Sequence, residues 1–150
     1  MSPPVKLADT SRLSKAILLI ALLGTLEAAY LTYVHYHGLG ALACIGGSHG
    51  KSSCEQVQSS VYSTLDGLPI VWLGLLGYLS ILGSLFVRGE LGRGAGFCIA
   101  LIGFGFSVYL TYREVFTLKE ICEWCVGSAV LMTLLAVLTA IRFLRGAPST

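Results

Sequence analysis

Four long apolar stretches are the feature of this 150-residue sequence that most restricts its fold. They cover about residues 16–36, 69–87, 94–112 and 121–141. Each provides the roughly 20 apolar residues that an α-helix needs to cross the hydrocarbon core of a bilayer. Only 12% of the residues are charged, about half of the ~25% that is usual in soluble domains. The sequence therefore predicts an all-α, integral membrane four-helix bundle, with residues 1–150 as a single domain.

Composition also excludes two classes of protein. With 55% hydrophobic residues, the chain is too apolar to be intrinsically disordered, because disordered segments are polar and highly charged. The net charge of +2 is too small for the basic surface that nucleic-acid binding requires.

Lysine and arginine indicate the orientation of the helices, because cytoplasmic loops of membrane proteins carry more of them. With alternate loops assigned to opposite sides, seven basic residues lie on one side and three on the other. The first group is Lys6, Arg12, Lys15, Arg88, Arg93, Arg142 and Arg145, and the second is Lys51, Arg113 and Lys119. We therefore expect both termini in the cytoplasm. The extracytoplasmic loop between helices 1 and 2 is then about residues 37–68, and a short turn at 113–120 lies on the same side.

A cleaved signal peptide is the alternative interpretation of the first apolar stretch. Basic residues precede it, and Ala41-Leu42-Ala43 has the small-residue pattern of a cleavage site. However, the apolar run is long for a signal peptide, and its removal would leave three helices and spoil the charge balance. The sequence favours a retained membrane helix.

One cysteine motif has the spacing of a redox-active dithiol. Cys122-Glu123-Trp124-Cys125 lies at the expected outer start of helix four. Residues i and i+3 share a helix face, so the two sulfurs can meet. The start of a helix also favours thiolate and lowers the pKa of a cysteine there. A disulfide that closes so short a loop adds little stability, so the motif indicates a pair that opens and closes.

The other three cysteines are Cys98, Cys44 and Cys54, and their positions do not point to a single function. Cys98 stands alone within helix three and is interpreted as a small apolar packing residue. Cys44 and Cys54 enclose nine residues rich in glycine and serine, on the same outer side as the C-x-x-C motif. A structural loop disulfide and a mobile, exchanging pair both fit these two cysteines. A zinc site built from all four outer cysteines is a further alternative, but the spacing favours a disulfide relay, and we expect no metal.

Electrons taken from thiols need an acceptor. The sequence contains no haem-attachment, flavin or iron–sulfur motif. In a membrane, a lipid-soluble quinone is the natural acceptor. Trp124, Gly127 and Ser128 lie near the expected outer end of helix four, where aromatic and small side chains would let a flat ring approach Cys125.

These residues together resemble the vitamin K epoxide reductase family of membrane thiol oxidoreductases, from about Gly24 to Arg142. The elements that carry the resemblance are Cys44, the segment Cys54–Tyr62, the Gly67-Leu68-Pro69 start of helix two, and the Cys122–Cys125 motif. The resemblance implies a four-helix bundle around a quinone, with the loop cysteines on a lid-like segment.

The resemblance also implies a role for each site residue. Cys44 would exchange with the thiols of a partner protein, and Cys54 would pass the electrons to Cys122 through a transient mixed disulfide. Cys125 would deliver them to the quinone as the Cys122–Cys125 disulfide forms. Ser60 matches the loop serine or threonine that orients the lid in the family, with an ordinary loop or capping residue as the alternative.

Several departures separate this chain from the animal members of the family. Position 129, four residues after Cys125, is Ala129 where the animal enzymes have a tyrosine. The animal enzymes also present an asparagine to the quinone from helix two, and this sequence has no asparagine. The spacing of Cys44 and Cys54 is longer than is usual in the family. These differences disfavour reduction of vitamin K epoxide, which remains an alternative activity.

The pattern is more similar to the bacterial branch, which oxidises a thioredoxin-like periplasmic protein and reduces a quinone. Some bacterial members carry the thioredoxin-like domain on the same chain, whereas this sequence ends at Thr150, so we expect a separate partner. The expected location is the bacterial plasma membrane, with both cysteine pairs on the outer side. A non-enzymatic membrane protein with structural disulfides is the second alternative.

Three polar residues of helix one have open interpretations. Glu27 lies within the apolar stretch, where a carboxylate is costly and therefore suspected of a function; a purely structural role remains open. His35 and Tyr36 near the outer end of that helix would anchor it at the interface or move protons. The glycines of helices two and three, among them Gly74, Gly77, Gly103 and Gly105, are expected to allow close helix packing.

Overall fold

The fold is given by a computed structural model that describes residues 4–38, 47–48, 51–52, 64–119 and 121–146. Helix α1 is Pro4–His37, α2 is Ile70–Phe86, α3 is Glu90–Tyr112 and α4 is Glu123–Gly146. A π-helical segment, Arg113–Leu118, continues α3. Four strands of two residues form two short hairpins: β1 (Gly47–Ser48) pairs antiparallel with β2 (Lys51–Ser52), and β3 (Thr64–Leu65) with β4 (Leu68–Pro69).

The prediction of an all-α membrane bundle is confirmed. Three segments are long and apolar enough to cross a membrane, namely Ser11–His37, Glu90–Leu118 and Glu123–Gly146. Helix α2 is apolar but has only 17 residues, a length of about 26 Å at 1.5 Å per residue, slightly less than the ~30 Å hydrocarbon core. Large apolar side chains such as Leu19, Leu26 and Leu101 are exposed on the outside of the bundle, as a lipid-facing surface requires.

The four helices pack in a closed circuit. Helix α1 contacts α2 and α4, and α3 contacts the same two helices from the opposite side, so α2 and α4 face each other across a diagonal. The central core contains Ile17 from α1, Tyr78 and Ile81 from α2, and Leu135 from α4. A second, smaller cluster at the other end joins Leu31, Val34, Val71 and Cys122.

Tyr78 determines how closely α1 and α2 approach. Its ring is fully buried and lies against the backbone of Gly24, where a Cβ atom would collide with it. Among the glycines of helices two and three that the sequence interpretation expected to pack closely, Gly103 lies against the Met132 side chain and Gly96 lies against the Ser84 side chain. A Cβ atom at Gly74 or Gly77 would meet no atom within 4 Å, because both glycines line a cavity.

Two local expectations were wrong. The segment 113–120, expected to be a short turn, is mostly helical, because α3 changes to π-helical hydrogen bonding at Arg113 and continues to Leu118. No glycine or proline interrupts this segment, and it ends where Lys119 adopts a left-handed conformation with φ of 55°. Cys98, interpreted as a packing residue, is instead exposed on the surface of α3.

Candidate functional site

The C-x-x-C motif lies at the start of α4, where the sequence predicts it. Cys122 immediately precedes the helix, and its carbonyl accepts the N–H of Val126 at 2.9 Å. Its sulfur accepts the backbone N–H of Cys125 at 3.4 Å. Cys122 therefore occupies the N-cap position, with its sulfur where a serine or aspartate oxygen usually satisfies a free N–H of the first turn. Both cysteines are free thiols, and they are hydrogen-bonded to each other.

The surroundings of Cys122 favour its thiolate. The hydrogen bond from the Cys125 thiol lowers the pKa of Cys122, and backbone N–H groups of the first turn act in the same direction. Burial and the nearby Glu114 carboxyl oppose this change without reversing it. A thiol of lowered pKa is more fully ionised at neutral pH and is a better leaving group in disulfide exchange. Cys122 therefore suits the position in a disulfide relay that a cysteine of another pair attacks.

Glu114 completes the surroundings of the cysteine pair, and the sequence interpretation did not identify it. The whole residue is only 3% exposed. The carboxyl accepts the backbone N–H of Cys122 at 3.4 Å and is hydrogen-bonded to the Cys125 thiol. An acidic residue eight positions before Cys122, at the end of an apolar stretch, is the signal that was present in the sequence. The contact of Glu114 with the cysteine pair depends on the π-helical segment, and apolar patterning does not predict such a segment.

A cavity of about 310 Å³ opens beside Cys125. Apolar side chains of α2 and α3 form most of its wall, including Ile70, Leu73, Ile102 and Phe106. The polar groups that line it include Ser107, Thr111, Glu114 and Ser128, together with Tyr78 and Arg113. Its volume lies within the ~300–1,000 Å³ of small-molecule pockets, which are likewise apolar with a few polar groups.

A group of polar side chains connects three helices near this cavity. The Tyr78 hydroxyl of α2 donates to the Ser128 carbonyl oxygen at 2.9 Å and lies 2.8 Å from the Ser128 hydroxyl of α4. The carboxyl group of Glu27 on α1 lies close to the backbone of Ser128. The Glu27 carboxyl fills the space beside Gly127, where a Cβ atom would come within 3.2 Å of it. Glu27 of α1 therefore contacts α4, and its structural and catalytic interpretations both stay predictions.

Trp124 and Ser128, both expected from the sequence to let a flat ring approach Cys125, differ in their position relative to the cavity. Ser128 lines the cavity. Trp124 is absent from the described residues of the cavity wall and packs against Tyr30, with the ring centroids 5.0 Å apart. At the outer end of α1, the Tyr36 hydroxyl accepts a hydrogen bond from Trp72 at 2.7 Å, and the Tyr36 and His35 rings are nearly perpendicular, with their centroids 5.4 Å apart. These contacts agree with interfacial anchoring by Tyr36 and Trp72.

Three of the predicted site residues lie outside the described part of the chain, namely Cys44, Cys54 and Ser60. Their roles remain expectations from the sequence. Among the residues that the structure does describe, no three histidine, cysteine, aspartate or glutamate side chains form a group that could hold a metal ion.

Comparison with known protein families shows that a family model matches the sequence. This model describes the vitamin K epoxide reductase family and matches residues 15–140, which include α2, α3 and the Cys122–Cys125 motif. The match extends over well more than half of the sequence. The chain belongs to the vitamin K epoxide reductase family, a family of membrane oxidoreductases that use quinones.

Proposed function

We propose that this protein is a quinone-dependent, disulfide-generating oxidoreductase. The observation that carries the proposal is the position of Cys125, which lines an apolar cavity and is hydrogen-bonded to Cys122, its partner in the C-x-x-C motif. A dithiol that borders a cavity for an apolar molecule has the arrangement needed to exchange two electrons with that molecule. Membership of the family supports the same chemistry.

The cavity suits the head group of a quinone. Quinones dissolve in the bilayer, and the cavity wall is mostly apolar, with Gly74 and Gly77 of α2 leaving open space where side chains would otherwise project. Hydroxyl and carboxyl groups near Cys125, from Ser128 and Glu114, can bond the ring oxygens. Which quinone binds depends on the bacterial membrane, and ubiquinone, menaquinone and related compounds all fit this chemistry.

The first half of the proposed reaction uses the loop cysteines. A separate thioredoxin-like periplasmic protein gives its electrons to the Cys44–Cys54 disulfide and leaves oxidised. Cys54 then attacks the Cys122–Cys125 disulfide at Cys122, and the resulting mixed disulfide resolves to a Cys44–Cys54 disulfide and a Cys122–Cys125 dithiol. The lowered pKa of Cys122 favours the second exchange, in which Cys44 attacks the Cys54 sulfur of the mixed disulfide and the Cys122 thiolate leaves, because a thiol of low pKa is the better leaving group.

The proposed location is the bacterial plasma membrane. Both termini lie in the cytoplasm and the cysteine pairs lie on the outer side, as the excess of lysine and arginine in the cytoplasmic loops favours. This is the side on which disulfides persist, so the substrate protein and the active cysteines meet in an oxidising compartment.

Quinone reduction by the purified protein in nanodiscs tests the proposal. The donor is a reduced thioredoxin-like protein, and wild type is compared with each cysteine-to-serine variant. We expect Cys122→Ser and Cys125→Ser to abolish turnover. Cys98→Ser is expected to retain it, because Cys98 is exposed on the surface of the helix bundle. Cys44→Ser is expected to fail with the protein donor but to work with a small dithiol, which can reduce the inner pair directly.

Other outcomes favour the alternatives. Turnover of vitamin K epoxide at a rate equal to that of quinone would make the chain an epoxide reductase. Absence of turnover with every quinone and dithiol, from a protein that unfolds more easily after Cys122→Ser, would favour a membrane protein with structural disulfides.

A further inference from the structure

Glu114 is a buried carboxyl group that contacts both cysteines and the cavity. It is 3% exposed, accepts the backbone N–H of Cys122, is hydrogen-bonded to the Cys125 thiol, and forms part of the cavity wall. A carboxyl group within an apolar bundle costs free energy. Glu114 therefore contacts the thiol that reacts and also borders the space for the oxidant, where a carboxyl group is within reach of both.

The π-helical segment explains why the carboxyl group reaches this position. Helix α3 widens to π-helical hydrogen bonding at Arg113, one residue before Glu114. Such segments are rare and occur frequently at functional sites. After Leu118 the chain reverses through Lys119, with φ of 55°, and returns to Cys122, whose N–H meets the carboxyl group of Glu114.

We propose that Glu114 is the proton carrier between the Cys125 thiol and the bound quinone. This inference rests on the function proposed above. Its carboxylate accepts the proton of the Cys125 thiol and then donates it to a quinone oxygen. Two S–H bonds break and one S–S bond forms, which oxidises the cysteines and releases two electrons and two protons. One proton travels through Glu114, and the other leaves Cys122 for water as its thiolate forms. The quinone takes both electrons, one proton from Glu114 and one from water, and becomes the quinol.

The titratable and charged groups around Glu114 come from every neighbouring element. Within the described residues, the structure brings the following side chains to this end of the bundle or to the same cavity wall: Cys122 and Cys125 at the start of α4, Arg113 beside it, Tyr78 from α2, and Tyr30 from α1. Glu114 is the only carboxyl group among the described residues of the cavity wall. A change in the pH profile on its replacement can therefore be attributed to this group, provided that the cysteine midpoints are measured in parallel.

Two substitutions separate proton transfer from positioning. Glu114→Gln keeps a carbonyl oxygen that can accept the Cys122 N–H but cannot carry a proton between the thiol and the quinone. Glu114→Asp keeps the carboxyl group on a shorter side chain. Glu90→Gln is the matched control, since Glu90 is an exposed carboxyl group at the opposite end of α3.

The expected results follow from the size of general acid–base effects. Glu114→Gln should lower kcat for quinone reduction by at least about 10²-fold, leave the KM for quinone within a factor of about two of wild type, and flatten the dependence of kcat on pH. Glu114→Asp should restore part of kcat and the wild-type shape of the pH profile. In addition, the infrared difference spectrum of quinone reduction should contain a carboxyl band that Glu114→Gln removes and Glu90→Gln retains.

The failure of this inference can be told apart from the failure of the proposed function. If wild type reduces quinone and Glu114→Gln does so with the same kcat and pH profile, Glu114 carries no proton and the inference is wrong, while the function stands. If Glu114→Gln lowers the melting temperature and raises the KM but keeps the pH profile, Glu114 is a structural residue. If wild type reduces no quinone, both proposals are overturned.

Discussion

The hydroxyl of Tyr78 lies 2.8 Å from the hydroxyl of Ser128 and donates to the Ser128 carbonyl oxygen at 2.9 Å. Tyr78 is on α2 and Ser128 is on α4, so this contact crosses the diagonal of the bundle between two helices that are not neighbours in the circuit. Ser128 lies one helical turn deeper than Cys125, and both residues line the cavity. The contact therefore fixes the width of the cavity next to the reactive thiol.

Replacement of Tyr78 by phenylalanine should loosen this diagonal contact. The variant loses two hydrogen bonds in the interior of the bundle, and each is worth about 1 kcal/mol, so we expect a decrease of about 1–2 kcal/mol in the free energy of unfolding. Thermal unfolding in detergent measures the change. Tyr33→Phe is the control, because Tyr33 is exposed on α1. Equal melting temperatures for the two variants would contradict the importance of the contact.

Replacement of Gly24 on α1 by a larger residue should displace the ring of Tyr78. An alanine Cβ would collide with the Tyr78 ring, and overpacking of this kind typically costs about 1–3 kcal/mol. Gly83→Ala on α2 is the matched control, since a Cβ there meets no atom within 4 Å and alanine favours a helix over glycine by up to ~1 kcal/mol. We expect Gly24→Ala to lower the melting temperature and Gly83→Ala to maintain or raise it. A harmless Gly24→Ala would show that Tyr78 can move aside.

Apolar length was sufficient to predict the helices, because a chain in a bilayer must satisfy its backbone hydrogen bonds within each helix. The four predicted stretches correspond to α1–α4, although α1 begins at Pro4 and α3 continues beyond Tyr112 as a π-helix. The spacing of Cys122 and Cys125 likewise placed a dithiol at the start of α4. These features depend on local sequence.

The remaining parts of the site depend on contacts between helices. Glu114 contacts Cys122 only because the π-helical segment and the reversal at Lys119 bring the chain back to this carboxyl group. Gly74 and Gly77 could not be recognised as cavity residues, because helical patterning does not distinguish a glycine that packs from one that leaves space. The contact between Tyr78 and Ser128 joins residues 50 positions apart, beyond the reach of local patterns.

The pKa of Cys122 leads to a prediction about pH. Because the hydrogen bond from Cys125 lowers this pKa, the Cys122 thiolate should persist to a lower pH than that of a free cysteine, whose pKa is about 8.5. Its reactivity should fall only as the pH decreases through the lowered value. Cys125→Ala removes the thiol donor and should move the midpoint upward.

Ultraviolet absorbance of the thiolate during a pH titration measures this midpoint. The protein used carries serine at positions 44, 54 and 98, so that only Cys122 and Cys125 contribute, and the further variants Cys125→Ala and Cys122→Ser assign the two thiols. A midpoint for Cys122 that does not change in Cys125→Ala would mean that the neighbouring thiol has no effect on it.

The open space at Gly77 allows a direct test of the cavity. A leucine at this position would project into the cavity. The fold should tolerate it, because no other atom lies within 4 Å of the position that its Cβ would occupy. Gly83→Leu is the control on the same helix, since Gly83 also has free space beside it but lies outside the cavity wall. We expect Gly77→Leu to raise the KM for quinone at least about tenfold, equivalent to ~1.4 kcal/mol of lost binding, and Gly83→Leu to leave it unchanged. Equal KM values would place the quinone elsewhere.

A single-turnover experiment tests the proposed chemistry most directly. The protein with serine at positions 44 and 54 is fully reduced, freed of reductant and mixed anaerobically with quinone, without any thiol donor. Quinol formation is followed by absorbance, and the disulfide is located by mass spectrometry of peptides. We expect one quinol per protein chain together with a disulfide between Cys122 and Cys125, and slower formation of both products by Gly77→Leu at the same, sub-saturating quinone concentration. Absence of quinol from the reduced protein, or quinol without the Cys122–Cys125 disulfide, would contradict the proposal that this pair reduces a quinone held in the cavity.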